Sequence, residues 1–113
     1  MTRPQDLVQG TLNLLILKLL AIQPMNGWTM RQRISEFSAD VLRVTEGALY
    51  PALHKLESDG WIQAEWRLSG NNRRAKFYSL TPSGRRQLRV EASEWDRLAA
   101  AISALVRMKE TKA

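Results

Sequence analysis

There is no cysteine in the 113 residues of this chain. That excludes disulfide staples, thiolate metal sites and a cysteine nucleophile together, and leaves packing alone to hold a fold. Histidine occurs once, as His54. A single imidazole without clustered carboxylates cannot fill a metal coordination shell, and Glu57, three residues on, is a helical neighbour more than a catalytic orienter. No metal, no cofactor and no enzymatic activity are expected. Long apolar runs are missing too: the longest, Leu12 to Ile22, is interrupted by Asn13 and Lys18 and falls short of the ~20 residues that cross a bilayer. No membrane insertion is expected. Met1 to Gln9 carries Asp6 and lacks the small-residue cleavage site of a secretory signal, so the expected location is cytoplasmic. A chain of this length suits one compact domain with a modest core.

Acidic residues are absent from one stretch in particular. Between Arg67 and Arg89 stand seven cations (Arg67, Arg73, Arg74, Lys76, Arg85, Arg86 and Arg89) and no Asp or Glu, in a chain whose 17 Lys and Arg outnumber 11 Asp and Glu for a net charge of +6. Basicity alone is weak evidence of function. Cations concentrated without internal counter-ions are the footprint of a polyanion ligand, most commonly nucleic acid.

What is present reads as four helices and a hairpin. Leu12, Leu15, Ile16, Leu19 and Leu20 fall at helical spacing and predict a helix with one buried face. Leu14 and Leu17 add a second apolar face, which either touches another subunit or is buried more deeply. Pro24 stops this helix, and Asn26 caps a second one on which Gly27, Met30, Ile34 and Phe37 share a face. Thr45 offers a side-chain oxygen to a third helix and Glu46 suits its positive end. Leu49, Leu53 and Leu56 make the buried stripe of that helix, while Gly47, Tyr50, Pro51, His54, Lys55 and Ser58 occupy the opposite face. Pro51 removes the hydrogen bond to the carbonyl of Gly47, so the helix either bends there or begins at Pro51. Gly60 has the position of a left-handed C-cap.

Beyond Gly60, Ile62, Ala64, Trp66 and Leu68 alternate with Gln63, Glu65 and Arg67, the period of a half-buried strand. Ser69, Gly70, Asn71 and Asn72 are turn formers, and Lys76 to Leu80 suits a returning strand, which puts Arg73 and Arg74 near the tip of a hairpin. Thr81 and Pro82 start a fourth helix. On it Leu88, Ala92, Trp95, Ala99, Ile102 and Val106 follow at heptad spacing, over a length of roughly 42 Å if the helix runs to Lys109. A small domain cannot cover such a helix, so homodimerisation through it is expected, with packing back on the same chain as the alternative. The expected fold class is mainly α with a small β-hairpin: a winged helix-turn-helix domain over residues 7–81 and a C-terminal dimerisation helix over 82–109, the third helix being the one that enters a major groove.

Several segments carry a family resemblance: Gln9-Gly10-Thr11-Leu12, Glu46 to Leu53, Leu56-Glu57, Gly60-Trp61-Ile62, Asn72 to Thr81, and Gly84. In order and without a gap from about Gln9 to Leu88 they resemble the PadR family of transcriptional regulators, the Leu-Tyr-Pro helix and the Arg-Arg-x-Lys-x-Tyr wing being the most specific. The Glu94-Trp95 tail looks like the short subtype that often accompanies a membrane permease. The resemblance implies a dimeric repressor on a pseudo-palindromic operator, released by a small-molecule effector, with a helical bend at Pro51.

On this basis the third helix presents Tyr50, His54 and Lys55 to double-stranded operator DNA. Thr45, Gly47 and Ala48 lie near its N-terminal end, where backbone amides approach a phosphate. Lys55 neutralises phosphate, and Arg73, Arg74 and Lys76 grip the backbone or probe the minor groove. His54 has a solvated surface role as its alternative. Trp28 and Trp61 are expected in the core and Trp66 on the buried side of the wing strand. Trp95, with Ala99 and Ile102, lies on the dimer seam: it is an aromatic anchor, or the place where, as the resemblance implies, two copies of the ring stack a flat aromatic effector. A winged-helix module that binds a partner protein instead of DNA is the rival expectation.

Overall fold

The computed structural model describes residues 4–68 and 70–110, with side chains from Gly10 onward. Helix α1 (Pro4–Ile22) runs through the centre of the domain, and its expected stripe is buried at Leu12, Ile16, Leu19 and Leu20. Leu17 joins them while Leu14 stays half-buried, so one of the two extra leucines goes to the core of the chain itself. Each fully buried leucine contributes about 2 kcal/mol from water exclusion.

After Pro24 comes a two-residue strand, β1 (Met25–Asn26), and then α2 (Gly27–Phe37). Asn26 caps α2 as expected, its Oδ1 accepting the Thr29 N–H at 2.9 Å. Helix α3 (Glu46–Ser58) is capped by Thr45, whose Oγ1 accepts the Ala48 N–H at 3.2 Å, and it buries Leu49, Leu53 and Leu56. It is continuous through Pro51, which removes a helix start at that residue. The proline is tolerated because it stands on the exposed face, where solvent reaches the groups it leaves unbonded. At the other end Gly60 takes φ +79°. Its N–H donates to Glu57 O at 3.0 Å and the Trp61 N–H donates to Leu56 O at 3.1 Å, a Schellman closure.

Strands β2 (Ile62–Leu68) and β3 (Arg74–Leu80) form the hairpin, and β1 pairs with the other edge of β3, placing Met25 opposite Tyr78. The sheet is therefore three-stranded and antiparallel in the order β1-β3-β2, one strand more than the expected hairpin. Ser69, one of the expected turn formers, lies outside the described residues.

Helix α4 (Pro82–Val106) ends three residues before the expected Lys109. Thr81 caps it, accepting the Gly84 N–H at 3.0 Å. The same hydroxyl donates to Gly60 O at 2.7 Å, Ser83 Oγ donates to that oxygen at 2.9 Å, and the Thr81 N–H reaches Trp61 O at 3.1 Å. Helix α1 lies against α4, and Leu88 packs on the core. Farther along, the seam at Trp95, Ile102 and Val106 is exposed within the single chain, Val106 by 77%. The helix gives the molecule its elongated extents of 67 × 28 × 23 Å.

Three expected core positions lie at the surface. Phe37 is 79% exposed, because α2 ends with it and the chain turns away through Ala39 and Asp40, both at positive φ. Trp28 is 61% exposed: the buried face of α2 is set by Gly27, Met30 and Ile34, and a residue next to Gly27 points about 100° away from it. Trp66 is 59% exposed even though it shares a sheet face with buried Ile62, since the strand runs on past the body of the domain. Trp61 is half-buried against the core, as expected.

Of the glycines, Gly84 is the most closely approached: a Cβ there would overlap Trp61 O and stand 2.8 Å from its carbonyl carbon. Both are backbone atoms and cannot rotate aside. Gly84→Ala is expected to destabilise the fold by about 2–3 kcal/mol, read as a lower urea midpoint at unchanged slope. A wild-type midpoint would refute the close approach.

Candidate nucleic-acid interface

Helix α3 has three distinct flanks. The leucine stripe faces the core, and Gly47, Tyr50, Pro51, His54, Lys55 and Ser58 are all exposed, as the helical spacing predicts. Its N-terminus is held by α2: Arg31 Nε donates to Val44 O at 2.9 Å, and its guanidinium lies 3.3 Å from Glu46. At Gly47 a Cβ would meet only Thr45 Oγ1, at 3.9 Å. A helical glycine costs roughly 0.5–1 kcal/mol relative to alanine, and nothing inside the chain requires one there.

The exposed residues then divide. Tyr50 turns toward the wing and shares a cleft with Trp66, Arg74 and Lys76. Lys55 turns the other way, toward Gly10 and Asn13 of α1, and pairs with Asp59 at 3.2 Å. Ala48 and Pro51 lie on that same flank. Tyr50 is seated by Gly27, where a Cβ would come within 3.1 Å of the Tyr50 Oη and 3.3 Å of its ring.

On the wing, Arg73 precedes β3 at the tip. Arg74 and Lys76 follow on one sheet face with Trp66 and Leu68. The Arg74 guanidinium sits over the Trp66 ring at 5.4 Å from its centroid, and Lys76 over Tyr78 at 5.7 Å. Lys76 also reaches Glu57 of α3 at 3.7 Å, tying the wing to the helix. Burial pushes the Tyr78 hydroxyl above its ordinary value of 10.0, with the negative charges of Glu57 and Tyr50 adding to the rise. On the opposite sheet face Arg67 pairs with Glu65 and lies 5.3 Å from the Phe77 centroid.

The basic stretch is thus split. Arg67, Arg73, Arg74 and Lys76 ride the wing, whereas Arg85, Arg86 and Arg89 stand on the start of α4, which begins at the base of the hairpin, the end opposite its tip. Trp95 lines a cavity of about 540 Å³ between α1, α4 and the end of α3, together with Trp61, Glu91, Leu98 and Lys55. Among the described residues no charged side chain is buried, so the chemistry of the chain lies on its surface. Nor is any of the described helices long and apolar enough to cross a membrane.

Comparison with known proteins meets this geometry. The sequence model described as the transcriptional regulator PadR-like family matches residues 16–90, from α1 through α3 and the wing into α4. The chain belongs to the PadR-like family. Transcriptional regulator Rv3488 of Mycobacterium tuberculosis is 39% identical over 64 residues, which are 57% of this chain and 59% of that protein, so the match covers less than two thirds of the relative. Among solved structures, a transcriptional regulator from Clostridium thermocellum shares the fold with a TM-score of 0.82 at 24% identity, over 90% of this chain and 99% of the other. A PadR family transcriptional regulator from Eggerthella lenta superposes with a TM-score of 0.76 at 28% identity, over 92% and 88%. The PadR-like proteins are transcriptional regulators and not enzymes.

Glu57, Asp59, Gly27 and Trp28 were not singled out as interface residues by the sequence. A signal existed for Trp28, whose register lies off the Gly27, Met30 and Ile34 stripe. The carboxylate partners Glu57 and Asp59 carried a weaker one, as residues one helical turn from His54 and Lys55.

Proposed function

We propose that this PadR-like chain is a sequence-specific DNA-binding regulator that works as a homodimeric repressor. The observation that carries the proposal is the exposed outer face of α3 standing beside a cation-bearing wing, with Tyr50 and Arg74 in the same cleft. Helix α3 enters the major groove, where Tyr50 and His54 reach base edges or phosphates. Thr45, Gly47, Ala48 and Pro51 form the small-residue surface that lets the helix come close, and its N-terminal amides meet a phosphate. Lys55 leaves Asp59 for a phosphate, which an exposed ion pair of about 0–1 kcal/mol permits. Arg73, Arg74 and Lys76 hold the backbone and the minor groove.

Residues 7–81 serve as the reading domain and 82–109 as the dimerisation helix. The exposed seam of α4, with Trp95, Ala99 and Ile102 on it, supports a second copy as the cover. That copy sets the two α3 helices about 34 Å apart, one turn of DNA. Trp95 takes part in the seam and, through the cavity it lines, receives a small aromatic effector that releases the repressor.

Titration of a mixed-sequence duplex of about 30 base pairs at several salt concentrations tests DNA binding. The affinity is expected to fall with a log–log slope of about −0.9 per phosphate neutralised. Arg73→Ala should flatten that slope by about one phosphate contact, and Tyr50→Ala should weaken binding by about tenfold or more. Binding that ignores salt contradicts the proposal and moves a protein partner ahead. In sedimentation the wild type is expected as a dimer and Ile102→Glu as a monomer; a monomeric wild type contradicts the α4 seam.

A further inference from the structure

The wing has an inner face that the other described residues leave largely uncovered. The face that carries Ile62 and Tyr78 into the core continues outward as Trp66 and Leu68 on β2 and Lys76 and Arg74 on β3. Between this overhang and the body of the domain lies a cleft of about 430 Å³. Trp66 and Arg74 line it from the wing, and Trp28 and Tyr50 from the body. A single exposed tryptophan is ordinary. Here two indoles, each exposed over more than half its surface, line one cleft together with the rings of Tyr50 and Tyr78.

Charge selects the occupant. The Arg74 guanidinium is held over the Trp66 ring, so a cation stands beside an apolar surface. Lys76 pairs with Glu57 of α3 at 3.7 Å, so its charge is offset, whereas Arg74 stacks on a ring and has no carboxylate partner among the described residues. An anion with an apolar body attached is what such walls accept. The duplex supplies one by geometry. A helix in the major groove and a hairpin tip in the neighbouring minor groove must straddle the sugar–phosphate strand that separates the two grooves.

We propose that the cleft is a clamp for that strand: Trp28 and Trp66 pack against its deoxyriboses, and Arg74 binds a phosphate at the mouth. The clamp rests on the DNA-binding function proposed above and adds to it two contact residues, Trp28 and Trp66. A deoxyribose contact releases no counterion, whereas a phosphate contact does. The two kinds of residue therefore leave different traces in a salt titration.

The test uses the full chain and a mixed-sequence duplex of about 30 base pairs, since backbone contacts need no particular site. Trp28→Ala and Trp66→Ala, both at exposed positions and checked for wild-type unfolding midpoints, are each expected to lower affinity by about tenfold with the salt slope unchanged. Trp66→Phe should recover most of the loss. Arg74→Gln should reduce the slope by about one phosphate. Wild-type affinity in both tryptophan variants overturns the clamp while leaving DNA binding in place. A change in sedimentation with no change in DNA affinity also overturns it, because a second copy of the chain then fills the cleft. A wild-type chain that binds no duplex at any salt concentration removes the DNA-binding function and the clamp together.

Discussion

Helix α3, the wing and helix α4 meet where the carbonyls of Gly60 and Trp61 serve as shared acceptors. Gly60 O takes the hydroxyls of Thr81 and Ser83, and Trp61 O takes the Thr81 N–H. Two glycines make the meeting geometrically feasible, in different ways. Gly60 adopts the left-handed backbone that turns the chain from α3 into β2, and Gly84 lacks the side chain that would hold α4 away from Trp61. The direction of α3 relative to the wing and the direction in which α4 leaves the domain are therefore fixed at one place. The first decides whether helix and hairpin can engage one duplex. In the proposed dimer the second sets how far apart the two copies of α3 stand.

Around this junction the interior is apolar and the surface carries the chemistry. The ion pairs beside the α3 face, Lys55 with Asp59 and Lys76 with Glu57, are exposed or nearly so and are worth little as stabilisers. In the DNA-binding function proposed above they act as counter-ions that hold the lysines in place until a phosphate replaces them. Arg74 differs, since stacking on Trp66 positions its charge without neutralising it. In the proposed complex such a surface binds with little internal rearrangement, because the backbone beneath it is fixed by α3 with its Thr45 cap and by the pairing of β3.

Most of the frame was legible because it follows local rules. Asn26, Thr45 and Thr81 cap the helices predicted for them, Leu49, Leu53 and Leu56 turn inward at helical spacing, and Gly60 ends α3 with a positive φ. What escaped was set by tertiary surroundings. The β1 strand, Met25 and Asn26, is too short to show any period and exists only because β3 offers an edge. Trp66 alternates correctly with Ile62, yet alternation reports a face and not how far the protein extends over it. The same limit explains why the seven cations of one acid-free stretch of sequence occupy two separate regions, one along the wing and one on α4. Lys55 and Tyr50 share the exposed side of one helix but lie on different flanks, a distinction visible only once α1 and the wing are in place.

Selection of genomic fragments by the purified chain tests the central claim most directly, that two copies of α3 and the wing read one DNA site. Enrichment of a sequence with two-fold symmetry and half-sites about one helical turn apart, roughly 10 base pairs, is the predicted result. Recovery of fragments with no common sequence would contradict it, leaving α3 and the wing as a basic surface without the capacity to read DNA.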